Sequence, residues 1–213
     1  MEITIPTQWS DIMIKDYINL RPVLSEEQGN EATRIINVLC LLSGQKRQEI
    51  EQLSIPQYSD LVKKMSFLTE PIPDKVKSNI VKVGKEHYLF SLDPKNILFG
   101  EYISVMDILE KAKDNPEVVY NNMHNLLTVI CKPIHKTWWG YKMKPITSQV
   151  VQDTAQNFYE NMPITDAQPI AVFFYRNLPI LTKTIKTFMV QMAERETKKA
   201  EKELRKLSTI GVG

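Results

Sequence analysis

The sequence predicts a mainly α fold: a helical domain with one small β-hairpin and a long C-terminal helix. Three observations carry this. Val119, Met123, Leu126, Leu127 and Ile130 fall at i, i+4, i+7, i+8 and i+11, which is one continuous apolar helix face. The pattern shifts to a period of two for any length only once, around residues 80–90. The last stretch, residues 194–207, is built from Glu, Lys, Ala, Arg and Leu, all strong helix formers.

Taken in order, the chain opens with a strand-like alternation of Ile3 and Ile5, followed by Trp9. A short helix over 14–20 comes next, with Trp9, Ile12, Tyr17 and Leu20 as anchors. Residues 25–30 read as a polar loop. Residues 31–43 read as a helix with Ile35, Ile36, Leu39 and Leu42 inward, closed by Gly44 as a left-handed cap. A short charged helix over 46–53 follows, then one over 57–67. Tyr58, Leu61, Val62 and Met65 of the latter sit at i, i+3, i+4 and i+7. Residues 1–68 thus read as an N-terminal helical subdomain.

Residues 69–98 combine a Pro-rich connector, Glu70-Pro71-Ile72-Pro73-Asp74, with the β-hairpin. Ile80, Val81 and Val83 form one strand, the turn falls at Gly84-Lys85, and Tyr88, Leu89 and Phe90 form the other. Residues 99–175 read as a central helical core. Its first helix carries Val105, Ile108, Leu109 and Ala112. Its second starts at Asn115-Pro116, where Asn caps and Pro loses no bond, and Pro133 stops it. Trp138-Trp139-Gly140-Tyr141 reads as an aromatic loop. Thr147 or Ser148 caps a further helix with Val151, Thr154, Ala155, Phe158 and Met162 on one face, and Pro163 ends it. Pro169 opens the last helix system, whose apolar piece from Ile170 to Tyr175 reads as buried. Residues 176–213 then form a long helix with a polar, basic arm. Leu181, Ile185, Phe188 and Met192 make a narrow stripe, and Glu194–Lys198 and Glu201–Arg205 are favourably ordered i, i+4 pairs. Residues 177–207 as one helix would reach about 46 Å.

Length and composition fit one domain, or one domain with an appendage, and 43% hydrophobic residues suffice for a sizeable core. The net charge of +2 makes no general case for nucleic acid. It is unevenly placed: residues 176–213 hold nine Lys or Arg against four Glu, so the first 175 residues carry −3. An electrostatic partner therefore meets the arm rather than the body. The two cysteines, Cys40 and Cys131, lie in apolar helical stretches and read as buried free thiols. The first residues lack the basic-then-apolar pattern of a signal peptide, and no apolar run approaches a membrane span. These features point to synthesis in a reducing cytoplasm.

Catalytic and cofactor signatures are missing from the sequence. It has no HExxH, no CxxC pair, no phosphate-binding Gly loop and no Gly-x-Ser-x-Gly elbow. Of His87, His124 and His135, His124 reads as a structural core histidine with its hydrogen bonds met. Asp60, Asp107, Asp153 and Asp166 are single carboxylates without a spaced partner. The expectation is a protein that is not an enzyme, with no cofactor and no metal.

Two features exceed an ordinary core. Trp138, Trp139 and Tyr141 stand beside Lys136, Lys142 and Lys144. Either the rings fold inward from a surface loop, or they are an exposed anchor of the kind that dominates contact hot spots; stacking on single-stranded nucleic acid is a weaker option. The arm, with Arg195, Lys198, Lys199, Lys202, Arg205 and Lys206, is either a solvated tail, a docking helix or a coiled coil. A heptad seam fails after Met192, because Arg195 and Lys199 fall on it.

The whole layout resembles a group of uncharacterised proteins from the structural gene blocks of tailed bacteriophages, particularly crAss-like phages of gut Bacteroidales. The stretches that carry the likeness are ITIPTQWSDIMIKDYINL, INVLCLLSG, KVGKEHYLF, FGEYISVMDIL, NNMHNLLTVICKPI and ENMPITDAQPIAVFFYRNL. The resemblance implies a non-enzymatic virion protein of the tail, neck or packaged cargo, acting by protein–protein contacts in assembly. Its partners would be other phage structural proteins and further copies of the chain. A tail-assembly chaperone absent from the mature particle, and a small nucleic-acid-binding or processing protein, stay open; the arm's charge excess is too small to imply DNA on its own. The resemblance assigns no site residues.

Overall fold

A computed structural model describes residues 3–25, 30–91, 93, 96–115 and 117–210, with side chains to Ala200 except those of Leu178 and Leu181. The centre of the expected 25–30 loop, Pro116, and the side chains of Leu181, Lys202, Arg205 and Lys206 lie outside the described residues.

The N-terminal segment is tied to residues distant in sequence, near 67–70 and 162–164. Ile3 and Ile5 are buried, and Trp9 heads a short 3-10 turn, Trp9–Asp11. Its indole N–H donates to the Glu70 carbonyl at 3.0 Å, and its ring meets Phe67 edge-on. The Ile14 N–H donates to Met162 O at 3.0 Å, and the Ile164 N–H donates to Ile12 O at 2.8 Å. Helix α1 (Ile14–Ser25) grows from that staple. Asn30 Oδ1 accepts the Ala32 N–H and starts α2 (Glu31–Ser43), which Gly44 ends at φ 68°. Helices α3 (Arg47–Glu51) and α4 (Ile55–Lys64) follow, the latter opened by a Ser54–Gln57 capping box.

The predicted hairpin is present as β1 (Ile80–Val83) and β2 (Glu86–Phe90), turned at Gly84 with φ 59°. The β part is larger than one hairpin, however. Strands β3 (Cys131–Thr137) and β4 (Gly140–Met143) extend it to a four-stranded antiparallel sheet in the order β1-β2-β3-β4. The expectation of a single hairpin is corrected here, while the fold class, mainly α with a minor β part, stands. The second hairpin hides in the sequence for a physical reason. Cys131, Lys132, Pro133 and Ile134 are buried on both faces, so β3 shows no alternation. Pro133 also argues against an internal strand. Its carbonyl accepts the Lys144 N–H at 2.8 Å, so the bond its nitrogen cannot donate falls just past the end of β4.

Between the two hairpins run α5 (Phe99–Ala112), α6 (Glu117–Asn121) and α7 (Met123–Ile130). The second predicted helix is therefore broken at Asn122, whose side-chain amide takes the Val118 carbonyl at 2.8 Å. Asn115 caps it as predicted, accepting the Glu117 N–H at 3.0 Å. Met123, Leu126, Leu127 and Ile130 are buried. Pro133 does not stop this helix; the chain turns into β3 two residues earlier, which also places Cys131 on a strand rather than a helix.

Thr147 caps α8 (Ser148–Asn161), and Thr154, Phe158 and Met162 face the core. The last helix, α9 (Ile164–Ile210), opens at Ile164 and not at Pro169. Ile164, Ala167, Ile170, Ala171 and Phe174 are buried on one face that runs straight past Pro169. Pro169 and Pro179 each leave out one i→i−4 bond inside the helix. Its 47 residues span about 70 Å. One contiguous core collects side chains from Ile3 to Ile185. Among the described residues no helix is long and apolar enough to cross a membrane.

Candidate functional site

The β3–β4 hairpin leaves the body as it proceeds. Residues 131–134 are buried, and His135 and Lys136 are exposed. Thr137 pairs with Gly140, so Trp138 and Trp139 are the whole turn. A two-residue hairpin turn usually demands positive φ at its central residues, hence Asn and Gly. Here, among the described residues, positive φ is confined to glycines, and Gly140 takes it at 129°. The glycine after the turn thus absorbs the left-handed geometry, and two bulky L-residues can occupy the tip.

Both indoles are 93% exposed, and Tyr141 is 46% exposed. This settles the choice between inward rings and an exposed anchor in favour of exposure. Among the described residues neither indole stacks on another ring or meets a hydrogen-bond partner. The short turn explains this: both side chains sit past the last strand pair, beyond any core surface they could reach. Tyr141 is held from one side, its ring 5.8 Å from that of His87.

The strand register places cations beside these rings. Lys136 pairs with Tyr141 across the hairpin, and His135 pairs with Lys142. Lys136 and Lys142 are exposed and, among the described residues, in no ion pair. Lys144, also expected at this site, is instead bound to Glu86 at the base of the sheet. The tip therefore presents two indoles, half a phenol ring and two free ammonium groups. Full burial of each indole on a partner would supply on the order of 4 kcal/mol of transfer free energy.

The arm forms the second predicted site. Its backbone is helical to Ile210, and Arg195, Lys198 and Lys199 are exposed. Among the described residues the expected Glu194–Lys198 pair is not closed, and Arg195, Lys198 and Lys199 are in no ion pair. Burial along the stripe fades: Ile185 is buried, Phe188 half-buried and Met192 exposed. The structure unites Trp138, Trp139 and Tyr141 in one hairpin and places the basic residues on a separate element.

Two features inside the body escape sequence reasoning. Lys132 is buried with Glu101, a pairing 31 residues apart that no local pattern announces. His124 is not satisfied as expected. Among the described residues its Nδ1 is buried without a hydrogen-bond partner; its ring packs edge-on against Tyr159, and burial lowers its pKa. Among the described residues no cluster of His, Cys, Asp and Glu could hold a metal ion. Compared with known protein families, curated proteins and solved structures, the chain matches no family model, no curated sequence and no solved structure.

Proposed function

We propose that this protein is a non-enzymatic docking component of a tailed-bacteriophage particle, located in the tail, neck or packaged cargo and acting by protein–protein contact. The observation that carries the docking part is the hairpin tip with Trp138 and Trp139 almost fully in water. A folded chain gains nothing from holding two indoles there, whereas a partner with an apolar groove gains two rigid anchors. The exposed Lys136 and Lys142 favour an acidic rim on that partner. The phage setting rests on the resemblance in layout stated above, and the long polar helix supports it as a second contact reaching away from the body.

The test is complementation with the paired substitution Trp138→Ala and Trp139→Ala in a phage of this kind, with particle proteomics as the readout. Intact protein in purified particles, and its loss with the double variant at unchanged thermal midpoint, would support the reading. Absence of the wild-type protein from particles would make it an assembly factor instead. Wild-type incorporation of the double variant would remove the hairpin from the interface.

A further inference from the structure

Two exposed surfaces of the chain complement each other. One is the hairpin tip, with the indoles of Trp138 and Trp139 in water, Lys136 on β3 and Lys142 on β4. The other is the connector Glu70-Pro71-Ile72-Pro73-Asp74, which approaches β1 without helix or strand from residue 71 on. Prolines fix its shape, because each holds its own φ and pushes the residue before it into extended backbone. Glu70 shows this, at φ −86° and ψ 145°. Its carbonyl accepts the Trp9 indole N–H at 3.0 Å, and Ile72 packs on the core. Pro71 and Pro73 are left exposed, with Glu70 and Asp74 exposed at the two ends. Among the described residues neither of these carboxylates is in an ion pair. The lysines that follow, Lys75 and Lys77, line a separate hollow with Asp166 at the start of α9.

The match is one of shape and of charge. Extended proline segments dock on exposed aromatic rings, because they are preformed and lose little entropy. Two carboxylates at the ends of the connector face two ammonium groups beside the tip. From Glu70 to Asp74 such backbone spans about 12 Å. Lysines on opposite strands, with flexible four-carbon stems, accommodate that spread. The body already holds both surfaces in place, which lowers the cost of ordering them. Within one chain they do not meet, since both indoles are 93% exposed.

We propose that the hairpin tip of one copy grips the Glu70–Asp74 connector of a second copy, with the indoles on Pro71 and Pro73 and Lys136 and Lys142 on the two carboxylates. This rests on the docking role of the hairpin and names its partner. Tip and connector are different surfaces, so the contact is head-to-tail. Each added copy offers one free tip or connector to the next, which builds a ring or a filament.

The experiment is sedimentation of the full chain over a range of concentrations. A contact this small predicts a dissociation constant on the order of 10–100 µM, weakened by salt. The paired substitutions Trp138→Ala with Trp139→Ala, Lys136→Glu with Lys142→Glu, and Glu70→Lys with Asp74→Lys should each abolish association. All six positions are exposed, so the thermal midpoints should hold. The deciding arm mixes the two charge-reversed variants. Alone, one has both surfaces acidic and the other both basic, and neither should associate. Together, each tip meets a connector of opposite charge, and association should return. A wild type monomeric throughout, association that survives loss of both indoles, or a mixture that stays monomeric would each overturn the proposal. If the wild type is monomeric but its entry into particles still needs the indoles, the tip grips a different protein: this proposal falls and the docking reading does not.

Discussion

The ammonium of Lys132 lies 2.8 and 2.7 Å from the two carboxylate oxygens of Glu101, and the two side chains are only 2% and 4% exposed. One residue belongs to β3 and the other to the first turn of α5, so the pair joins the sheet to the helices. Glu101 also accepts the Leu98 N–H at 2.8 Å, which caps α5. Burial pulls the Lys132 pKa down, and the hydrogen bond and charge of Glu101 oppose that pull. Breaking one side of such a pair strands a buried charge. Lys132→Met should cost about 3–5 kcal/mol in urea unfolding. Adding Glu101→Gln, which keeps a capping oxygen, should recover part of that loss. A cost below about 1 kcal/mol for Lys132→Met would mean the pair behaves as a solvated surface bridge.

Tryptophan fluorescence reports the hairpin directly. Of the three tryptophans, Trp9 is buried and the other two are exposed. Acrylamide should quench most of the native emission, and the double substitution to alanine should leave only the shielded, blue-shifted signal of Trp9. Stability should change by no more than about 0.5 kcal/mol, as for surface positions. A larger loss would show that the indoles pack on the body.

Thiol chemistry separates the two cysteines. Both are free, with Cys40 half-buried on α2 and Cys131 buried on β3. Burial raises both pKa values, and pushes that of Cys131 up to about 12. Thiolate is the reacting form. Native protein should therefore alkylate slowly at Cys40 and not at Cys131, and denatured protein at both. Mass analysis that finds fewer than two alkylated thiols after denaturation would contradict the free state.

His124 should make stability sensitive to mild acid. The unfolded imidazole takes a proton near about pH 6.5. The folded one takes it only lower, because burial disfavours the charged form. Between those two values the unfolded chain binds more protons, so stability falls as pH drops. The urea midpoint of wild type should fall more between pH 7.5 and 5.5 than that of His124→Phe. Parallel falls would place the sensitivity elsewhere.

The arm should be dispensable for folding. Residues 193–200 are exposed, and such polar helices are marginal without packing. Deleting residues 194–213 should leave the thermal midpoint within a few degrees while removing helical circular dichroism. If the arm docks as proposed, the truncated protein should also fail to enter particles. Normal entry would leave the arm a solvated helix.

What the amino-acid order determined by itself is the local part. The face of Met123, Leu126, Leu127 and Ile130, the Asn30, Ser54, Asn115 and Thr147 caps, and the turns at Gly44 and Gly84 are all short-range matters of period, hydrogen bonding and glycine geometry. The aromatic tetrad at 138–141 was visible as a site, but not its exposure. Tertiary structure decided everything that depends on a partner distant in sequence. It made β3 a strand by pairing it with β2 and β4, against a buried lysine and a proline that argue otherwise. It started α9 at Ile164 through a backbone bond to Ile12, 152 residues earlier in the chain. It carried Trp138 and Trp139 out to the end of a hairpin, where no core surface lies within reach. In each case the deciding energy is a hydrogen bond or a buried contact whose second half no local window of sequence contains.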